Sequence, residues 1–165
     1  MTAAADPLRP GGDFRIFVGV YPEKHPESAS FEADIDMLKA KIDAGADHAI
    51  SQFFYDNEVF YRYVDRVRGA GVDIPISPGV MPVGNFKGLV RMAEGCGASL
   101  PAGLTRLFDG LDEDPETRRL VAAAAAAEQC ADLVEQGFDS LHFYTLNRYD
   151  IAFAVCHMLG MRPAA

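Results

Sequence analysis

Asp-Ala-Gly-Ala-Asp-His-Ala-Ile-Ser-Gln-Phe-Phe-Tyr-Asp (residues 43–56) reads as a helix end, a tight turn and then a strand. Gly45 can take the left-handed conformation that stops a helix without a Cβ clash. Residues 49–54 form a short apolar run, interrupted by one amide at Gln52. Side chains alternate along a strand, so Ile50 and Gln52 are expected on one face and Ala49, Ser51 and Phe53 on the other. Gln52 then lies beside an apolar neighbour near the C-terminal end of the strand, where α/β proteins bind ligands. A buried amide costs free energy unless its donors and acceptor find partners. Nearby backbone could supply them, and so could a ligand.

Outward from this stretch the chain alternates strands and helices. Residues 1–13 are small residues, prolines and glycines, read as a disordered leader without the apolar core of a signal peptide. Strand one is expected at 14–21 and helix one at 31–43, with Ser30 as N-cap and Ile35, Leu38 and Ile42 at helical spacing. Strand two is followed by a helix at 57–70, ended by Gly71, and by strand three at 74–78 between prolines and Gly79. Asn85 caps a helix to residue 95, and a shorter helical piece occupies 102–108. The longest helix, 115–135, starts on a proline suited to its first turn and contains an alanine run. Strand four at 140–145 and a helix at 150–159 complete the pattern.

Strands separated by helices pair in parallel. The fold class is α/β, built of parallel (β/α) units, either as a small open sheet or as half of a (β/α)8 TIM barrel. The chain has 165 residues, 49% of them hydrophobic, which suits one domain with a real core. Its net charge of −9 argues against a nucleic-acid surface and against anionic membranes, but not against an anionic ligand held by a local cation. No apolar run approaches the ~20 residues that span a bilayer. Three scattered cysteines, Cys96, Cys130 and Cys156, point to neither a disulfide framework nor a zinc site, and to a reducing cytoplasm.

In a parallel sheet the loops after the strands carry the chemistry. They hold Tyr21 and His25, then Gln52 and Asp56, then residues 78–85, then Tyr144, Asn147 and Arg148. Arg148 suits a carboxylate or phosphate, or else a solvated ion pair on the last helix. His25 reads as a loop histidine or a proton-transfer group. Asp109, Asp112, Glu113 and Asp114 read as a solvated loop matched to a helix dipole rather than as a metal site. No glycine-rich dinucleotide motif, P-loop or nucleophile elbow is present.

Several stretches together resemble the methylenetetrahydrofolate reductase family. They are Tyr-Pro-Glu-Lys-His-Pro-Glu (21–27), the 43–56 stretch, Pro-Gly-Val-Met-Pro-Val-Gly-Asn-Phe (78–86), Leu-Phe-Asp-Gly-Leu-Asp-Glu-Asp (107–114) and His-Phe-Tyr-Thr-Leu-Asn-Arg (142–148). The resemblance runs in order from about residue 14 to 163. It implies a barrel with FAD at the C-terminal ends of its strands. NAD(P)H would reduce the flavin, which would reduce 5,10-methylenetetrahydrofolate to 5-methyltetrahydrofolate, in one-carbon metabolism and methionine supply. By this similarity Tyr21, His25, Asp34, Lys41 and Ile50 would line the FAD site. Gln52 would hold the folate pterin, with Tyr144 beside it and Arg148 on a tail carboxylate.

The resemblance starts at about the middle of the family's barrel. The glutamate regarded as the family's general acid and the Arg-Gly-Asp segment near the flavin belong to the other half, so no catalytic residue is assigned here. Met92 stands where some members have a stacking aromatic, Gly88 where a glutamine occurs, and Ala40 where a basic residue lies near the cofactor. The expectation is a chain without reductase activity alone: a truncated copy, a split-barrel subunit completed by an N-terminal half or a second copy, or a non-catalytic remnant that binds a folate or flavin, or only a partner protein. An unrelated barrel enzyme for phosphorylated substrates would need a glycine-rich loop where Asn147, Arg148 and Tyr149 stand.

Overall fold

A computed structural model describes residues 14–162, so the leader expected at 1–13 lies outside the described residues. The elements in order are β1 (Phe17–Val20), α1 (Phe31–Asp43), β2 (His48–Phe53), α2 (Asn57–Gly69), β3 (Ile76–Val80), α3 (Phe86–Cys96), α4 (Ala102–Phe108), α5 (Pro115–Glu135), β4 (His142–Phe143) and α6 (Tyr149–Met158). The strands form one sheet in the order β1-β2-β3-β4, with every pair parallel. Each strand lies beside its predecessor and the order never reverses. That is how a (β/α)8 barrel winds, whereas doubly wound sheets reverse at a switch point. The architecture is that of half a barrel.

Local chemistry explains the helix boundaries. Ser30 accepts from the Ala33 N–H to cap α1, Asp56 accepts from Glu58 to cap α2, and Asn85 accepts from Gly88 to cap α3. Asp114 caps α5 through the Thr117 N–H, with Pro115 in the first turn. The aromatic core sits between the sheet and the helices. Phe54 stacks on Phe60 at 4.9 Å, and Phe138 meets Phe60 edge-on at 5.0 Å. On α5, Ala122, Ala126, Cys130 and Leu133 form a buried stripe whose small members let the helix approach closely.

The strand limits move. The expected strand 14–21 is cut to Phe17–Val20, because the Ile16 N–H is taken by the Asp47 carboxylate at 2.8 Å and Phe14 is 77% exposed. The expected 49–54 becomes His48–Phe53, and 74–78 becomes Ile76–Val80, with Pro78 inside the strand rather than at its limit. The register explains how Pro78 is accommodated. Ile50 pairs with Ser77 and Phe53 with Gly79, so β2 carries one extra residue opposite Pro78, which has no N–H to give. Strand four shrinks from 140–145 to His142–Phe143, although the Tyr144 N–H still reaches the Val80 carbonyl at 2.9 Å. Helix ends at 70, 95, 150 and 159 shift by one residue.

Candidate functional site

Burial along β2 keeps the expected alternation: Ile50 and Gln52 are half-buried, whereas Ala49, Ser51 and Phe53 are buried. The bulge shifts the register, so that Phe53 lies opposite Gly79. Ser51 and Gln52 occupy the displaced part. The Ser51 hydroxyl accepts the Gly79 N–H at 2.8 Å and donates to the Gln52 carbonyl at 2.9 Å. Gln52 is half-buried, and its side-chain carbonyl accepts the Phe53 N–H at 3.0 Å. An N–H there admits only the oxygen of the amide, so Gln52 presents its NH2 outward.

A cleft of about 520 Å³ opens at the C-terminal end of β1, against the exposed side of α1. Tyr21, His25, Asp34 and Lys41 all line it. These are four of the five residues expected at the cofactor; Ile50 lies outside its lining. The loop that carries His25 is tightly built. Lys24 adopts a left-handed conformation, φ 74°, and its ammonium donates to the carbonyls of His25 (2.9 Å) and Ser28 (2.5 Å). The Asp34 carboxylate accepts the His25 N–H at 2.7 Å. His25 Nδ1 accepts the Glu27 N–H at 3.1 Å, which leaves Nε2 as the protonated nitrogen of the neutral ring. The Tyr21 and His25 rings meet edge-on at 4.5 Å. Lys41 reaches back to the Gly19 carbonyl at 3.1 Å. The cleft therefore offers an aromatic wall, an imidazole and a half-exposed cation.

A second cleft, about 300 Å³, lies between the β3–α3 loop and the β4–α6 loop, with Tyr144 and Arg148 in its lining. Its apolar wall includes Met81, Leu89 and Met92. Leu146 and Asn147 are both left-handed, φ 49° and 63°, a strained pair for non-glycine residues. They turn the chain so that the Arg148 guanidinium stands over Gly84, 3.7 Å from where a Cβ would lie. Arg148 makes no ion pair among the described residues; Arg119 and Asp150 make the α5–α6 pair at 3.2 Å. Tyr55, which bridges from the end of β2 to the Met81 carbonyl at 2.9 Å, also lines this cleft and escaped the sequence reading. Its signal was its place just past the strand, hidden by an apolar context. Burial raises its hydroxyl pKa well above the ordinary value.

Between the clefts, a narrow crevice is lined by Tyr21, Gln52, Phe53 and Cys96. Tyr21 thus belongs to both the first cleft and the crevice. Phe53 in turn meets the Tyr144 ring edge-on at 6.5 Å. The acidic cluster is absorbed structurally, with Asp112 paired to Lys87 at 2.9 Å and Asp114 on the α5 cap. Among the described residues no group of His, Cys, Asp and Glu could hold a metal, and no helix is long and apolar enough to cross a membrane. The buried Cys130 thiol is pushed up to about 12 by burial, which makes it an inert core group.

These features define a parallel (β/α)-barrel unit with clefts on the C-terminal rim of its strands, the rim where such folds bind ligands. A family profile, methylenetetrahydrofolate reductase, matches residues 8–160. The chain is 49% identical over 156 residues to the 5,10-methylenetetrahydrofolate reductase of Pectobacterium carotovorum, covering 94% of this chain and 52% of that protein. It is 47% identical to that of Escherichia coli, covering 94% and 53%. It is 37% identical to methylenetetrahydrofolate reductase (NADH) 1 of Arabidopsis thaliana, covering 92% and 27%. The chain belongs to the methylenetetrahydrofolate reductase family. It spans about half the length of the bacterial relatives it matches. In fold it is similar to an uncharacterized Clostridium thermocellum protein whose structure is described as binding two copies of 5-methyl-5,6,7,8-tetrahydrofolic acid. That similarity has a TM-score of 0.55 and 17% identity, covering 90% of this chain and 55% of the other.

Proposed function

We propose that this chain supplies the FAD- and folate-binding face of a methylenetetrahydrofolate reductase, in the reducing cytoplasm, for 5-methyltetrahydrofolate and methionine supply. One observation carries the reading. Tyr21, His25, Asp34 and Lys41, up to twenty positions apart in sequence, converge on one cleft, while Tyr144 and Arg148 line another on the same rim. The first cleft fits part of a dinucleotide. It is within the usual size range for small-molecule sites and combines ring surface with a cation able to meet a phosphate oxygen. Tyr21, His25 and Lys41 would hold FAD, and Asp34 would hold the loop that presents His25. When bound, FAD supplies the two-electron carrier between NAD(P)H and the folate.

The chain's own residues bind and orient. Arg148, held over Gly84 by the left-handed turn, would meet a tail carboxylate, and Gln52, which lines the crevice with Tyr21, would hold the pterin through its NH2. Ile50, half-buried on β2 and outside the cleft lining, would complete the FAD site from the neighbouring strand. None of the described residues is proposed as the general acid. Turnover then belongs to an assembly with complementary (β/α) units, in the same polypeptide, in a separate chain or in a second copy. The exposure of Phe17, 48% on a strand that pairs only with β2 among the described residues, favours such a partner.

The test is calorimetric titration of the chain with 5-methyltetrahydrofolate. Arg148→Ala is expected to weaken binding by about 10- to 100-fold, as for a lost hydrogen bond to a charged group. Equal affinity in the two proteins would refute the assignment of Arg148. Turnover by the purified chain alone would refute the assignment of turnover to an assembly.

A further inference from the structure

The resemblance puts Tyr144 beside the folate, and in the structure its hydroxyl has a partner within the chain. It donates to the Ser51 carbonyl at 3.0 Å, reaching from the end of β4 across β3 to β2. The crossing is possible because residue 79 is glycine. A Cβ there would lie 2.1 Å from the Ser51 carbonyl oxygen and 2.7 Å from Tyr144 Cε2. The Ser51 carbonyl lies within the register shift, and the hydroxyl of Tyr144 serves it there. Around it, Ser51 Oγ holds the Gly79 N–H and the Phe53 N–H holds the Gln52 side-chain oxygen. Three strands are thus stitched at Ser51, next to Gln52, which lines the crevice.

We infer that Tyr144 is a positioning residue for Gln52: its hydroxyl pins the Ser51 carbonyl and thereby fixes the bulge that aims the Gln52 NH2. This deepens the folate reading and rests on it for the ligand. It also gives the ligand's chemistry. With the amide oxygen tied to the Phe53 N–H, Gln52 can only donate, so it selects a ring edge presenting an acceptor, a carbonyl or an unprotonated ring nitrogen.

The experiment uses the whole chain, with 5-methyltetrahydrofolate as probe and 15N-labelled protein for the Gln52 side-chain amide. Tyr144→Phe keeps the ring and removes the hydroxyl. It is expected to weaken binding by about 3- to 10-fold, the scale of one neutral hydrogen bond. Gln52→Ala weakens binding as well, and the double variant is expected to be no weaker than Gln52→Ala alone. In ligand-free Tyr144→Phe the Gln52 amide signals shift and their solvent exchange rises. Arg148→Ala serves as the independent control, its effect multiplying with that of Tyr144→Phe. Multiplying effects of Tyr144→Phe and Gln52→Ala, or an unchanged Gln52 amide signal in Tyr144→Phe, would overturn the inference. If the unsubstituted chain binds no folate, the folate reading fails, and the ligand-free amide signal still decides whether Tyr144 positions Gln52.

Discussion

Gly79 is the residue on which the rim geometry depends most sharply. The atoms its Cβ would meet include a backbone carbonyl that cannot withdraw without opening the ladder. Gly79→Ala is therefore expected to cost ~3 kcal/mol by overpacking, read as a lower urea midpoint. An unchanged midpoint would mean that β2 can close its bulge. His48 illustrates a different residue-scale effect. It is buried, with Nε2 on the Ser77 hydroxyl at 2.8 Å, the Phe17 ring at 4.7 Å and Arg15 as the charged neighbour. Burial, aided by Arg15, lowers its pKa below the ordinary 6.5, so the unfolded chain binds the proton more readily. This contribution is complete above 6.5 and is lost as pH falls towards the lowered folded value. His48→Gln is expected to flatten the dependence of stability on pH just below 6.5, measured by urea unfolding across that range. Neither feature was legible in the sequence. Gly79 read only as the boundary after strand three, and His48 carried no signal within the 43–56 stretch, because both roles depend on neighbours from other strands.

The elements were legible wherever a cap or a period marks them. Ser30, Asn85 and Pro115 located three helix starts, and 102–108 and 115–135 match the structure residue for residue. Strand limits were not, because pairing partners and not propensity end a strand. The clearest case is β3, where Pro78 suggested an end that the bulge opposite it removes, while Pro75 still lies just outside the strand. The anchoring of α5 was equally hidden. Asn57 donates to Asp132 at 2.6 Å and to the Gln129 carbonyl at 3.0 Å; Tyr61 donates to Asp132 at 2.6 Å, and Gln129 to the Phe54 carbonyl at 2.8 Å. These bonds join α5 to the stretch just after β2. The Asn57 and Tyr61 donors hold the Asp132 carboxyl below its ordinary range, so their support persists above 3.8 and is lost as pH falls through the lowered value. Gln129→Ala is expected to cost about 1 kcal/mol in urea unfolding and to raise hydrogen exchange at the end of β2. Protection unchanged there would show that α5 does not hold the rim.

At the scale of the molecule, the alternation of strands and helices left an open sheet and a half-barrel equally admissible. The sequential parallel order of the four strands decides for the half-barrel. The expectation of a site at these residues comes from family motifs rather than from physics. The grouping of Tyr21, His25, Asp34 and Lys41 into one cleft needed coordinates, as did the separation of Tyr144 and Arg148 into another. The central claim is that the first cleft binds flavin through residues of this chain. Its most direct test is the visible absorbance spectrum after incubation with FAD and gel filtration, for the chain and for Lys41→Ala. A retained flavin band in the first, and an affinity reduced by about tenfold or more in the second, is the predicted result. A colourless chain that stays colourless when the complementary barrel half is supplied, or equal retention by Lys41→Ala, would contradict the account.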